Sequence, residues 1–111
     1  MYDRILLPTD GSQGSNRAVD QALELAAETG AELHVLFVVE ELPYAPEMMD
    51  GEIEARLRAI GEEAIEAIRE RAETADVPLE TAIEDGVPHQ SILEYTEDEA
   101  IDLVVMGTQG R

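Results

Sequence analysis

Asp102-Leu103-Val104-Val105-Met106-Gly107-Thr108-Gln109-Gly110-Arg111 is the stretch whose reading decides the fold. An apolar run, Leu103 to Met106, leads straight into a turn carrying two glycines. A short continuous apolar run is how a strand buried on both faces of a parallel sheet reads. A glycine-rich turn beyond its end lets backbone N–H groups approach an anion closely. The first expectation is therefore a parallel sheet with a phosphate-bearing ligand at a strand end.

Working outward, three earlier segments read as further strands. Residues 3–9 carry Ile5-Leu6-Leu7 and end at Pro8-Thr9, and residues 32–39 are β-branched, aromatic and mostly apolar. Both suit strands buried on two faces. Residues 79–83 alternate, Leu79-Glu80-Thr81-Ala82-Ile83, which suits an edge or half-exposed strand. Helical stretches separate them. From Gly14 to Thr29, Ala18, Ala22, Leu25 and Ala26 share a face flanked by Val19 and Leu23. Ser12 or Ser15 can cap its start, and Gly30 fits a left-handed stop. From Gly51 to Ala75 the stripe reads Ile53, Leu57, Ile60, Ala64, Ile68 and Ala72, with Glu and Arg elsewhere. A third helix starts at Pro88 and carries Ile92, Leu93 and Tyr95. The order is βαβαβαβ. Such alternation with short connections gives an α/β domain with an open, mainly parallel, Rossmann-like sheet and helices on both faces. The long connection over residues 40–51, broken by Pro43 and Pro46, reads as an irregular surface loop or as a flap carrying Tyr44, Met48 and Met49.

Composition narrows the function. The 111 residues make one domain. There is no cysteine, hence no disulfide or thiolate chemistry. No run of 18 apolar residues and no basic leader are present, so a cytoplasmic protein without a membrane segment is expected. Acidic residues number 26 against seven basic ones, for a net charge of −19, and all seven basic residues are Arg. Such a surface repels nucleic acid and itself. At molar salt the Debye length falls to about 3 Å and the penalty largely disappears. The absent lysine and the surplus of carboxylates favour a protein of a salt-accumulating, halophilic cytoplasm over an ordinary acidic one.

Two turns carry chemistry suited to a nucleotide. Pro8-Thr9-Asp10-Gly11-Ser12-Gln13-Gly14-Ser15 follows the first strand, and Gly107-Thr108-Gln109-Gly110 follows the fourth. Glycines admit the phosphates, hydroxyls donate, and a carboxylate such as Asp10 accepts from ribose hydroxyls or an exocyclic amine. Asp10 and Ser12 read equally well, taken alone, as helix caps. Familiar alternatives fall away. A P-loop needs a lysine, a dinucleotide fold needs G-x-G-x-x-G after its first strand, and a hydrolase elbow needs G-x-S-x-G. None is present. His34, inside a strand, reads as a packing residue, and His89 as an exposed one. No His/Asp/Glu cluster has metal-ligand spacing.

Four segments together resemble the universal stress protein family: Ile5-Leu6-Leu7-Pro8-Thr9-Asp10-Gly11-Ser12, Phe37-Val38-Val39-Glu40, Gly86-Val87-Pro88 and the stretch from Asp102 to Arg111. They fall in the family's order and spacing over the whole chain. The resemblance implies strand order 3-2-1-4-5, of which this chain would supply 3-2-1-4 and lack a last helix and fifth strand. It implies a site for ATP or AMP, with Mg²⁺ as a companion of the phosphates. Pro8, Thr9 and Asp10 would line the adenosine pocket, and the backbone of Val38 would read adenine. Met106 and Gly107 would flank the ribose and α-phosphate, and Gln109 and Gly110 would open the phosphate loop. It further implies a homodimer in the complete protein and a protein partner of unknown identity. No catalytic residue is assigned. The competing readings are a dimeric scaffold without nucleotide and an ATP-hydrolysing enzyme of a related fold.

The charge balance carries its own test. In a salt titration followed by circular dichroism, helicity is expected to rise toward molar salt. Full helicity in salt-free buffer contradicts the halophilic reading.

Overall fold

The computed structural model describes residues 2–9, 16–40 and 51–106, with the side chains of 16, 40 and 51–54 left aside. The elements run β1 (Arg4–Thr9), α1 (Asn16–Thr29), β2 (Glu32–Glu40), α2 (Gly51–Ala75), β3 (Leu79–Gly86), α3 (Pro88–Asp98) and β4 (Leu103–Val104). They form one sheet in the order β3-β2-β1-β4. All three pairings are parallel, as the alternation of elements predicts.

Ile5, Leu6 and Leu7 have no exposed surface, so β1 is buried on both faces. Its odd-numbered residues join Leu33, Val35, Phe37 and Val39 of β2 in the main core, under α1 and α2. Leu6, His34 and Leu36 lie on the opposite face, where α3 packs against β2 and β3. Parallel pairing forces this two-sided cover. Each crossover helix must lie on a face of the sheet, and both faces of β1 are apolar.

The helices explain themselves with two shifts of face. In α1 the buried stripe is Ala18, Val19, Ala22, Leu23 and Ala26, with Leu25 only half-buried. Its small residues allow close approach to the sheet. Gly30, at φ +74°, ends it, and the N–H groups of Gly30 and Ala31 both reach the Ala26 carbonyl, at 2.9 and 3.1 Å. In α2 the expected stripe holds at Leu57, which packs against the core, and at Ile68 and Ala72, and departs at Ile60. Ile60 is 47 % exposed, whereas Gly61 and Ile65 are buried with Ile68 and Ala72. The cause is Phe37. A Cβ on Gly61 would lie 2.4 Å from the Phe37 ring, so glycine lets α2 sit on that side chain. Ile53 falls among the side chains left aside. The surface pairs also differ from a purely local pattern. Arg58 reaches Asp85 at the end of β3 at 2.6 Å, and Arg71 reaches Asp20 of α1. Among the described side chains, only Arg69–Glu66, at 3.5 Å, stays within α2.

On the α3 face a polar contact sits inside the packing. His34, 3 % exposed, places Nδ1 2.7 Å from the Tyr95 hydroxyl and Nε2 2.8 Å from a Glu32 carboxylate oxygen. In the neutral ring, Nε2–H donates to Glu32 and Nδ1 accepts from Tyr95, so both ring nitrogens are satisfied. His34 is thus a packing residue, as its place in a strand predicts. Burial, reinforced by Glu99, Glu80, Glu84 and Glu32, pushes the Tyr95 hydroxyl up to about 12.

β3 is longer than the sequence pattern predicts, pairing with β2 from Leu79 to Gly86, and its half-exposed edge character is as expected. β4 is shorter. Only Leu103 and Val104 pair with β1, and both are half-buried where a strand covered on two faces was expected. Its outer edge has no neighbour among the described residues, and α3 packs on β2 and β3 instead of over it.

Gly61→Ala should destabilise the protein. The gain in helix propensity is about 1 kcal/mol and the overpacking cost about 1–3 kcal/mol, so a net loss on the order of 1 kcal/mol is expected in urea midpoints. An increase in stability would contradict the close contact with Phe37. The raised Tyr95 hydroxyl favours the folded state while it keeps its proton. That contribution is full below about pH 10 and is lost as pH climbs through about 12. Alkaline unfolding curves of Tyr95→Phe should lack it.

Candidate functional site

Because every strand is parallel, the carboxyl ends of β1, β2 and β4 lie at one end of the sheet. The chain steps outward from β1 to β2 and from β2 to β3, with α1 and α2 on the same face. It then passes α3 on the other face and returns beyond β1 to β4. The direction of crossover therefore reverses between β1 and β4. That reversal opens a crevice at their carboxyl ends, the usual ligand position in an open α/β sheet.

Four of the eight residues expected in a site fall within the described structure. Pro8 pairs with Leu36 and Thr9 with Phe37 at the last positions of β1. Pro8 is half-buried, and Thr9 is buried. Val38, half-buried, lies further along β2 opposite Glu84. Met106, 58 % exposed, stands two residues beyond Val104. Strand alternation assigns Pro8, Val38 and Met106 to the α3 side of the sheet and Thr9 to the α1/α2 side. The fold thus brings Pro8, Thr9 and Met106 to neighbouring strand ends, with Val38 one strand away. Asp10, Gly107, Gln109 and Gly110 lie outside the described residues, as do Ser12, Ser15 and the segment with Tyr44, Met48 and Met49.

Asp102, which the sequence reading placed in the last strand without a role of its own, organises the other end of β4. The Asp102 carboxylate accepts the Asp3 N–H at 2.8 Å and the Arg4 N–H at 2.9 Å. These two bonds, with the Arg4 charge as a smaller contribution, hold its carboxyl below the ordinary carboxylate range. Arg4 in turn donates to the Glu99 carbonyl at 2.7 Å and lies 3.8 Å from Glu32. The available sequence signal was a lone carboxylate directly before an apolar run.

Two grooves flank these elements. One of about 340 Å³ lies between α3 and β4, with Leu93, Ile101, Val104 and Met106 in its lining and the exposed His89 beside them. It shares only Met106 with the expected site. A larger one, about 730 Å³, lies between α1 and the last turns of α2. Its lining includes Asp20, Glu24 and Glu70, and its one cation, Arg71, is paired with Asp20. That chemistry does not suit a phosphate. Among the described residues no group of three or more His, Asp or Glu side chains is arranged to hold a metal ion. No described helix is long and apolar enough to cross a membrane.

The profile of the Universal stress protein family matches residues 1–111. The chain belongs to the universal stress protein family. Universal stress protein MJ0531 of Methanocaldococcus jannaschii is 35 % identical over 114 residues, covering all of this chain and 67 % of its own length. Among solved structures, MJ0577 of the same organism superposes with a TM-score of 0.85 at 28 % identity, over all of this chain and 78 % of that one. A universal stress protein in complex with cAMP superposes with a TM-score of 0.66 at 29 % identity, over 93 % of this chain and 70 % of that one. This universal stress protein therefore superposes on a relative that has been solved with cAMP.

Proposed function

We propose that this universal stress protein binds an adenine nucleotide, ATP or AMP, at the carboxyl ends of β1 and β4. It would act in the cytoplasm by passing its bound state to a partner protein. The observation that carries the reading is the reversal of crossover between β1 and β4, with Pro8 and Thr9 on one side and Met106 on the other. The two segments rich in glycine, residues 10–15 and 107–111, continue from those two strand ends. The solved cAMP complex of a relative supports an adenine-nucleotide ligand.

The chemistry of the residues fits such a ligand. Pro8 and Val38 offer a half-buried apolar wall for a base, and Met106 an adaptable exposed thioether beside it. Thr9 and Asp10 supply a hydroxyl and a carboxylate for ribose or amine groups. Gly107 and Gly110 leave room for phosphate oxygens to meet backbone N–H groups, with Gln109 between them. Mg²⁺ would enter as a companion of those phosphates. The homodimer and the halophilic surface belong to the same reading. It assigns no catalytic role to any residue.

The protein purified in high salt and then denatured should release ATP or AMP at near-stoichiometric level. Where it does not, added ATP with Mg²⁺ should raise the melting temperature. Gly110→Val, which puts a branched side chain where phosphate would approach, should weaken binding at least tenfold. No released nucleotide and no thermal shift would overturn this reading in favour of the scaffold. ATP turnover abolished by Asp10→Ala would overturn it in favour of an enzyme.

A further inference from the structure

β4 is attached to β1 by a short ladder. Ile5 pairs with Leu103 and Leu6 with Val104. Two backbone bonds bracket the pairing, from Asp102 N–H to the Arg4 carbonyl and from Val105 N–H to the Leu6 carbonyl, each 2.9 Å. Beyond this the strand cannot extend toward its start. Ile101 gives its N–H to the Thr96 carbonyl at 2.9 Å, so it still belongs to the end of α3. The Arg4 carbonyl faces β4, and the Arg4 N–H lies along the same edge with no strand carbonyl to meet it. The Asp102 carboxylate supplies that acceptor, and it takes the Asp3 N–H as well.

The apolar pattern alone does not set this register. Val105 is buried in the main core, and Leu103 packs against that core. A slip of one residue would turn both away and is rejected by burial. A slip of two is different. In a register shifted by two toward the start of the strand, Ile101 and Leu103 would take the places of Leu103 and Val105, so the core side stays apolar. Asp102 tells the two registers apart. That shift carries its carboxylate about 6–7 Å along the strand, out of reach of both N–H groups. Ala100 would then stand in its place, and its side chain accepts no hydrogen bond.

We propose that Asp102 is a positioning residue for the nucleotide site. By clasping the start of β1 it fixes how far along β1 the end of β4 reaches. Counting on in the observed register, Met106 comes level with Pro8, so the clasp sets the height at which Met106 stands beside the end of β1. This inference rests on the nucleotide reading of those strand ends.

The test compares the wild-type protein with Asp102→Ala and Asp102→Asn in salt where circular dichroism shows them folded. Two quantities are read: amide hydrogen exchange at Val105 against Leu33, and affinity for AMP and ATP. Asp102→Ala should speed exchange at Val105 at least tenfold, leave Leu33 unchanged, and weaken nucleotide binding at least fivefold. Asp102→Asn keeps a weaker, neutral acceptor and should fall between the two in both readouts. Unchanged affinity in Asp102→Ala overturns the inference, even with faster exchange, because the residue is then only structural. If Asp102→Ala does not fold, Asp102→Asn decides, and wild-type values in both readouts overturn the inference. A wild-type protein that binds no nucleotide overturns the functional reading itself, which separates that failure from this one.

Discussion

β1 is buried on both faces and bonded on both edges, and the rest of the molecule follows from that. Ile5, Leu6 and Leu7 have lost all exposed surface, each contributing about 1.5–3 kcal/mol of hydrophobic stabilisation. Burial leaves no water for their N–H and C=O groups, so strands must flank β1 on both sides. β2 and β4 do so, both in parallel. Parallel neighbours require crossovers, and apolar faces on both sides require helices on both sides. The chain can meet these demands only by reversing direction somewhere, and it does so between β1 and β4. The crevice where a nucleotide is proposed to sit is thus a by-product of burying one strand completely.

The charge of −19 sets a second constraint on the proposed function, because a nucleotide would have to approach a polyanionic protein. Four of the seven arginines are already engaged with carboxylates. Arg58, Arg69, Arg71 and Arg4 are engaged with Asp85, Glu66, Asp20 and Glu32, respectively. Backbone dipoles can add to the attraction for phosphate, one source being the amino end of α1, which the β1–α1–β2 crossover puts at the carboxyl end of the sheet. Backbone donors carry no formal charge, so they leave the acidic surface as it is.

Much of this was legible in the sequence because it is written in periodicity. The uninterrupted apolar runs of β1 and β2 and the glycine stop at Gly30 correspond to observed elements. The element order and the sheet order 3-2-1-4 also agree with the structure. What escaped depends on single contacts between distant segments. Gly61 gives no hydrophobic signal, yet Phe37, on another element, selects it and rotates the buried face of α2 away from Ile60. Arg58 and Arg71 have carboxylates nearby in sequence but find Asp85 and Asp20 across space. Asp102 had no role of its own in the sequence reading, and its partners lie at the opposite end of the chain in Asp3 and Arg4. Pro8, Thr9, Val38 and Met106 were found through a family pattern, and the fold explains why Pro8, Thr9 and Met106 come to adjacent strand ends.

The central claim is that adenine nucleotide meets the protein at the carboxyl ends of β1 and β4. Amide and methyl chemical shifts recorded while AMP is added test it most directly. The account predicts saturable shifts at Thr9, Val38 and Met106, with the groove between α1 and α2 around Asp20 and Arg71 unmoved. Saturable shifts confined to that groove, or none anywhere, would contradict it.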